Sequence, residues 1–363
     1  MGVLKRQRTT IKDVAARAGV SYQTVSRVLN DKSEVSDETR RRVQAAIDDL
    51  NYRPSAIARS LVSQRTHVLG LFTADFSDYT HARIIEGAEA EARRQGYLIF
   101  VSGGERSPDG EPLSSPLLSQ HQTEGLLIVY HGSDRDTGAL FDHVSPDLPV
   151  VTIGYGRGRP HVVSVGIANV QGGRLATDHL LSQGRRRIAL ISGPRQFYAS
   201  QERLTGYAEA LTLAGIQVDQ GLIDAGDWTS ASGYAAMLRL LDRAAFDAVF
   251  VQNDRMAMGV LQALREHGRR VPDDIAVVGF DDIPSAPYFD PPLTTVHQPT
   301  YELGQVAAQT LIDLTHGEIP PAEPIRLATH LVIRQSCGAA DAAKGGHTPE
   351  VSSHRQRSHQ AIG

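Results

Sequence analysis

Between residues 66 and 337, strand-length apolar runs alternate with helix-length amphipathic patterns, and this alternation leaves few architectures open. The predicted strand runs are His67–Phe72, Leu98–Val101, Gly125–Tyr130, Val150–Ile153, Ile188–Ile191, Ala248–Val251 and Ile275–Phe280. Helical patterns separate most of them, over Ala82–Gln95, Gln171–Gln183, Gln201–Ala214, Thr229–Leu241, Asp254–His267 and Tyr301–Leu314. Such a succession specifies parallel sheets covered by helices on both faces, and over about 270 residues two sheets fit better than one. Ligands of open parallel sheets bind beyond the carboxyl ends of the strands, so the residues that follow each run are the first place to look for a site.

Composition removes other classes. Hydrophobic residues at 41% with 21% charged residues exclude a disordered or fibrous chain, and 363 residues suffice for two or three domains at ~150 residues each. The longest apolar stretches, such as Leu126–Tyr130, are far short of the ~20 residues of a membrane span. Lys5, Arg6 and Arg8 precede a polar segment rather than the apolar core of a signal peptide, and the single cysteine, Cys337, supports neither an internal disulfide nor a cysteine-based metal site. The expectation is a cytoplasmic protein with no membrane partner, no cofactor and no metal.

Charge is distributed unevenly. Residues 1–65 carry 13 Lys and Arg against 7 Asp and Glu, a net of +6, while the remainder carries 24 against 34, a net of −10. The basic end also holds three short helical patterns. Thr10 caps the first, in which Ile11, Val14, Ala15 and Ala18 recur at helical spacing; Gly19 and Val20 make a turn; Ser21 caps a second with Val25, Val28 and Leu29 inward; Ser36 caps a third carrying Val43, Ala46, Ile47 and Leu50. Three helices with a glycine turn between the first two make a helix-turn-helix, whose second helix lies in the major groove of DNA. Tyr22, Gln23 and Arg27 are then the candidates for base contacts, since Arg and Gln match guanine and adenine edges with paired hydrogen bonds. Thr10, Ser21, Thr24, Asn30 and Ser36 are candidates for the DNA backbone. A helical bundle that packs on another protein is the alternative; pattern and charge together favour DNA.

The runs Thr10-Ile11-Lys12-Asp13-Val14-Ala15, Ala18-Gly19-Val20-Ser21, Thr24–Asn30 and Asn51-Tyr52-Arg53-Pro54 resemble the head-piece of the lac repressor family of bacterial transcription regulators. The resemblance implies that residues 51–65 are a hinge helix and linker, with Ala58 packing closely and Leu61 wedging into the minor groove, although Leu61 packed on the core is the plainer alternative. It continues through Gly172–Ala176, Arg186–Ala189, Arg203–Tyr207, Asn253-Asp254, Val278–Asp282 and Pro292–Val296. An α/β core of two doubly wound subdomains of periplasmic-binding-protein type is implied, roughly 66–162 with 296–325 and 163–295 with 326–337, following a helix-turn-helix domain over 1–50. Residues 338–363, without leucine, read as a disordered tail.

A sugar-binding cleft needs planar side chains with two usable polar atoms and an aromatic face for the ring. Arg203, Asn253, Asp281 and the only tryptophan, Trp228, fall where that family binds its effector, with Asp75 and Gln298 as weaker candidates. Arg203 and Asp281 are expected to grip hydroxyls and Trp228 to stack; taken singly, each also has a structural reading as ion pair, cap or core. Two departures from the family are Gly166 and Ala168, where many members carry aspartates, and Arg185, where histidine is common.

The function implied is that of a homodimeric repressor that reads a near-palindromic double-stranded operator under control of a small molecule, a mono- or disaccharide acting as inducer. A corepressor-dependent, purine-type regulator is the alternative, and a sugar-binding protein without regulatory role a weaker one. No enzyme is expected: Asp281 and Asp282 are adjacent, which is poor geometry for paired carboxylates, and Arg159-Pro160 interrupts the glycine-rich run at 154–158. The dimer face is expected on the first subdomain near Ile84 and Ile85, which equally suit its core.

Overall fold

In a computed structural model the chain is described at residues 9–29, 34–52, 65–73, 75–103, 123–129, 141, 144–154, 162–319, 321 and 323–338. Asn30, Ala58, Leu61, most of the hinge and the tail beyond Gly338 lie outside the described residues. Residues 1–67 and 68–363 are two separate compact units.

The first unit contains α1 (Ile11–Ala18), α2 (Tyr22–Leu29) and α3 (Asp37–Asp49). At the start of α1 the Asp13 carboxylate accepts both the Thr10 N–H and the Thr10 hydroxyl at 2.8 Å, bonds that hold Asp13 below the usual carboxylate range. Gly19 ends α1 at φ 65°, the left-handed turn that favours glycine, and its N–H closes on the last carbonyls of the helix. Val14, Val25 and Val43, one from each helix, are fully buried and meet in a core completed by Ala15, Ala18, Val28 and Ala46.

The second unit is built on two six-stranded sheets. The first comprises β1 (Val68–Thr73), β2 (Leu98–Gly103), β3 (Gly125–Val129), β4 (Val150–Ile153), β5 (Val162–Ile167) and β11 (Ile325–Leu327), in the order β11-β5-β4-β3-β1-β2 with all neighbours parallel. The second comprises β6 (Ile188–Ser192), β7 (Ile223–Ala225), β8 (Ala248–Val251), β9 (Ala276–Asp281), β10 (Thr294–His297) and β12 (His330–Val332), ordered β12-β10-β9-β8-β6-β7. Only β12 runs antiparallel there. Helices α4 (Tyr79–Arg94) and α9 (Thr300–Thr315) pack on the first sheet; α5 (Asn169–Ser182), α6 (Tyr198–Leu213), α7 (Ser230–Arg243) and α8 (Asp254–Glu266) flank the second.

Continuous apolar runs are what a sheet covered on both faces requires. In β8, Val249 and Val251 face a core shared with α7 and α8, while Ala248 and Phe250 face another shared with α5 and α6, and all four are fully buried.

The chain crosses between sheets three times. The crossings expected after residues 162, 295 and 325 fall instead after Ile167, after His297 and after Leu327. Each crossing is only one or two residues long, Ala168, Gln298-Pro299 and Ala328-Thr329, too short to carry a periodicity that marks which sheet the chain serves next. Ile84, considered for the dimer face, is 1% exposed and lies with its neighbour Ile85 against the core beneath α4 and α9, so it is not available to a partner.

Candidate functional site

In the N-terminal unit, burying Val25 and Val28 turns the opposite face of α2 outward. Tyr22, Gln23 and Arg27 are all exposed there. The Ser21 hydroxyl accepts the Thr24 N–H at 3.1 Å and lies 3.0 Å from the Thr24 hydroxyl, while Ser36 caps α3 through the Thr39 N–H at 3.4 Å. Thr10, Ser21 and Ser36 thus sit at exposed helix starts, where backbone N–H groups and the helix dipole favour a phosphate. Arg27 Nε lies 3.8 Å from the Glu34 carboxylate, an exposed pair. An exposed helix face with an arginine and a glutamine, flanked by capped helix starts, is equipped to enter a groove and meet base edges.

In the second unit a cleft of about 570 Å³ opens where the carboxyl ends of the two sheets face each other. All six residues singled out in the sequence for effector binding, Arg203, Trp228, Asn253, Asp281, Asp75 and Gln298, line it.

Arg203, on the second turn of α6, is 5% exposed. Its Nε donates to Asn169 Oδ1 at 2.9 Å, its Nη1 donates to the Gln252 carbonyl, and Nη1 stands 3.9 Å from Asp281 Oδ1. The guanidinium lies over the Phe280 ring at 3.7 Å and 5.8 Å from the indole of Trp228. Burial pulls this guanidinium down to about 10, with Asp281 opposing the shift. Asp281 ends β9 with φ 117°, in the region that favours glycine, and takes a hydrogen bond from Gln298 Nε2. Burial pushes its carboxyl well above the usual range against the pull of Arg203. A ligand hydroxyl that reaches between these two groups gains a donor and an acceptor already dry and fixed.

Trp228 also has positive φ, 74°, and its ring packs against Gly193, where any Cβ would stand 2.1 Å from the indole. Phe197 tilts against it at 6.5 Å, so the aromatic wall is held from two sides. Asn253 lines the cleft as a positioning residue: Oδ1 accepts the Met256 N–H at 2.8 Å to cap α8, and Nδ2 donates to the Trp228 carbonyl at 3.1 Å. Asp75 follows β1; burial works against its charge, yet the Ser77 N–H and hydroxyl, both 2.7 Å from Oδ1, hold it below the usual range.

Beneath the cleft, Asp254 accepts the Thr295 hydroxyl at 2.6 Å and the Ile283 N–H at 2.9 Å, and burial pushes its carboxyl up to about 7. Asp282 turns away from Asp281 toward His297 and Arg334, and despite burial these partners hold it low. Among the described residues no group of His, Cys, Asp or Glu is arranged to hold a metal ion, and no helix is long and apolar enough to cross a membrane.

Several lining residues escaped the sequence reading: Asp78, His81, Phe197, Glu202, Arg255 and Arg326. Asp78 caps α4, a role that Ser77-Asp78 ahead of a helical pattern signals, and its carboxylate lies 3.7 Å from Arg255 at the start of α8 in the other subdomain. His81 Nδ1 lies 3.0 Å from the Asp75 carbonyl. The others come from helix starts or an edge strand, where residue type alone gives no signal.

The family described as bacterial regulatory proteins, lacI family, matches residues 10–55, and the periplasmic binding protein-like domain matches residues 177–337. The HTH-type transcriptional regulator CelR of Thermobifida fusca is 41% identical over 342 residues, covering 92% of this chain and 99% of that protein. The HTH-type transcriptional repressor PurR of Photobacterium profundum is 36% identical over 330 residues, covering 90% and 98%. Among solved structures, a complex of CelR with cellobiose is 40% identical with a TM-score of 0.67, covering 91% of this chain and all of that one. A lac repressor dimer bound to operator and the anti-inducer ONPF is 33% identical with a TM-score of 0.81, covering 91% and 99%.

Proposed function

Because this chain belongs to the lacI family of bacterial regulatory proteins, we propose that it is a repressor whose hold on DNA is released by a neutral disaccharide of the cellobiose type bound in the cleft between the two sheets of its second unit. The relatives it matches over nine-tenths of its length are an HTH-type transcriptional regulator, solved in complex with cellobiose, and an HTH-type transcriptional repressor, which supports effector-controlled DNA binding here. The observation that carries the choice of ligand is the Arg203–Asp281 pair, dry and opposed across 3.9 Å beside the single indole. Hydroxyls both donate and accept, so a pair of opposite charge serves a neutral sugar better than it serves an ion.

Tyr22, Gln23 and Arg27 read base edges, and Thr10, Ser21, Thr24, Asn30 and Ser36 hold the backbone. Two copies bind one near-palindromic site, as two-fold symmetric half-sites require, and the lac repressor dimer on its operator supports that arrangement. The ligand binds the state that does not fit the operator more tightly and so shifts the population away from it. Asp281 and Asp282 spend their carboxylates on different partners, which supports binding without hydrolysis. The second reading, a purine-type corepressor, draws on the PurR relatives, yet Phe197 and Trp228 lie tilted by 38° rather than parallel as a sandwich for a planar base would have them.

The test is fluorescence anisotropy of a palindromic duplex at fixed salt with cellobiose, glucose or hypoxanthine added. Release by cellobiose is the expected result; tighter binding with hypoxanthine and no response to either sugar would overturn it.

A further inference from the structure

Arg326, on the edge strand β11, lies across Gly166 of β5, where a Cβ would stand 2.5 Å from its Nη1. Glycine at 166 therefore makes room for the guanidinium, and Nη1 donates to the Gly154 carbonyl at 3.3 Å. From this first subdomain Nη2 reaches to Glu202 Oε1 on α6 of the second, at 3.4 Å. Glu202 Oε2 in turn accepts from Asn169 Nδ2 at 3.0 Å, and Asn169 Oδ1 accepts from Arg203 Nε at 2.9 Å. A chain of polar contacts thus runs from the rim of the first sheet to the buried arginine of the cleft.

The two Arg326 contacts are longer than the ~2.7–2.9 Å of a tight charge-assisted bond, and a guanidinium has about five N–H donors. Arg326 and Glu202 both line the cleft and keep 32% and 29% of their side chains exposed, so they retain donor and acceptor capacity for a ligand. Side by side they are formally neutral and offer a hydroxyl both kinds of partner. On the saccharide reading Asp281 and Trp228 serve one ring, and a cleft of about 570 Å³ has space beyond it.

We propose that Arg326 and Glu202 form a second polar subsite that grips the distal ring of a disaccharide and makes the cleft selective for two linked sugars over one. This rests on the saccharide reading of the cleft.

Isothermal titration calorimetry of the full chain with cellobiose and with glucose tests it, on the wild type, Arg326→Gln, Gly166→Ala and the double variant. The atom that an alanine at 166 displaces is the far end of a flexible side chain, so this variant moves the guanidinium without touching the core. Expected is a tenfold or larger fall in the ratio of cellobiose to glucose affinity for each single variant, with the double variant no worse than Arg326→Gln alone. Equal weakening of both sugars, or effects of the two substitutions that multiply, would overturn the subsite. If the wild type binds cellobiose and the variants match it, the subsite alone falls. If the wild type binds neither sugar, the saccharide reading fails and the subsite falls with it.

Discussion

The DNA-reading face and the cleft solve recognition in opposite ways. Tyr22, Gln23 and Arg27 stand in water on a short helix of a unit whose buried core is four valines and three alanines. Arg203 and Asp281 are buried, joined to each other and to neighbours, and shifted in their protonation by that burial. The polyanion surface of DNA supplies affinity from outside, so the reading face needs only exposed, correctly spaced groups. A neutral sugar brings no such field, and the cleft must hold its polar groups dry and oriented before the ligand arrives.

It follows that damage to the cleft is the more costly. Asp281→Ala leaves Arg203 buried without its counter-charge and is expected to weaken cellobiose binding by about 2–5 kcal/mol, read by calorimetry. A loss well under that range would mean that the pair is structural.

A pH effect follows from Asp254. Its folded pKa, about 7, lies above the ordinary 3.8, so the folded chain keeps a proton there that the unfolded chain has lost. Stability from this group is fully present below about pH 4 and is lost as pH rises toward 7. Thermal melting from pH 5 to 8 should fall more steeply for the wild type than for Asp254→Asn, and parallel slopes would remove the burial argument.

On the exposed side the effects shrink. Arg27→Ala is expected to cost about 1–3 kcal/mol in operator affinity and to relax base preference at one position, measured by binding to a set of single-base operator variants. Uniform weakening on all of them would make Arg27 a phosphate contact. Ser21→Ala, which removes the cap of α2, should lower the melting stability of the N-terminal unit by about 1 kcal/mol. Smallest of all, Glu34→Gln frees Arg27 from an exposed ion pair and should tighten DNA binding by less than about 1 kcal/mol at low salt, with the gain vanishing at high salt.

The same contrast governs what the sequence reveals. In the N-terminal unit every determinant is local: caps at Thr10, Ser21 and Ser36, a glycine turn and apolar residues at helical spacing place all three helices. In the second unit the six long helices and most of the buried central strands are equally plain, because runs such as Ala248–Val251 must be apolar throughout; β5, Val162–Ile167, is internal and buried yet absent from the predicted runs, since Ser164 and Gly166 interrupt its apolar pattern. Strands β7, β11 and β12 are three residues long and lack that mark, and β10, Thr294–His297, is fixed by its pairing with β9 rather than by its composition. The six cleft residues were visible through position after a strand or through resemblance. Arg326 and Glu202, 124 residues apart, meet only because two sheets converge, and no local pattern foretells that.

The central claim is that one chain joins palindromic DNA recognition to occupancy of the cleft. Its most direct test is anisotropy of the full-length protein on a palindromic and a scrambled duplex at moderate salt, titrated with cellobiose. Preferential binding to the palindrome, lost as cellobiose is added, is the predicted result. Equal affinity for both duplexes, or a palindrome complex indifferent to every saccharide and purine tried, would contradict it.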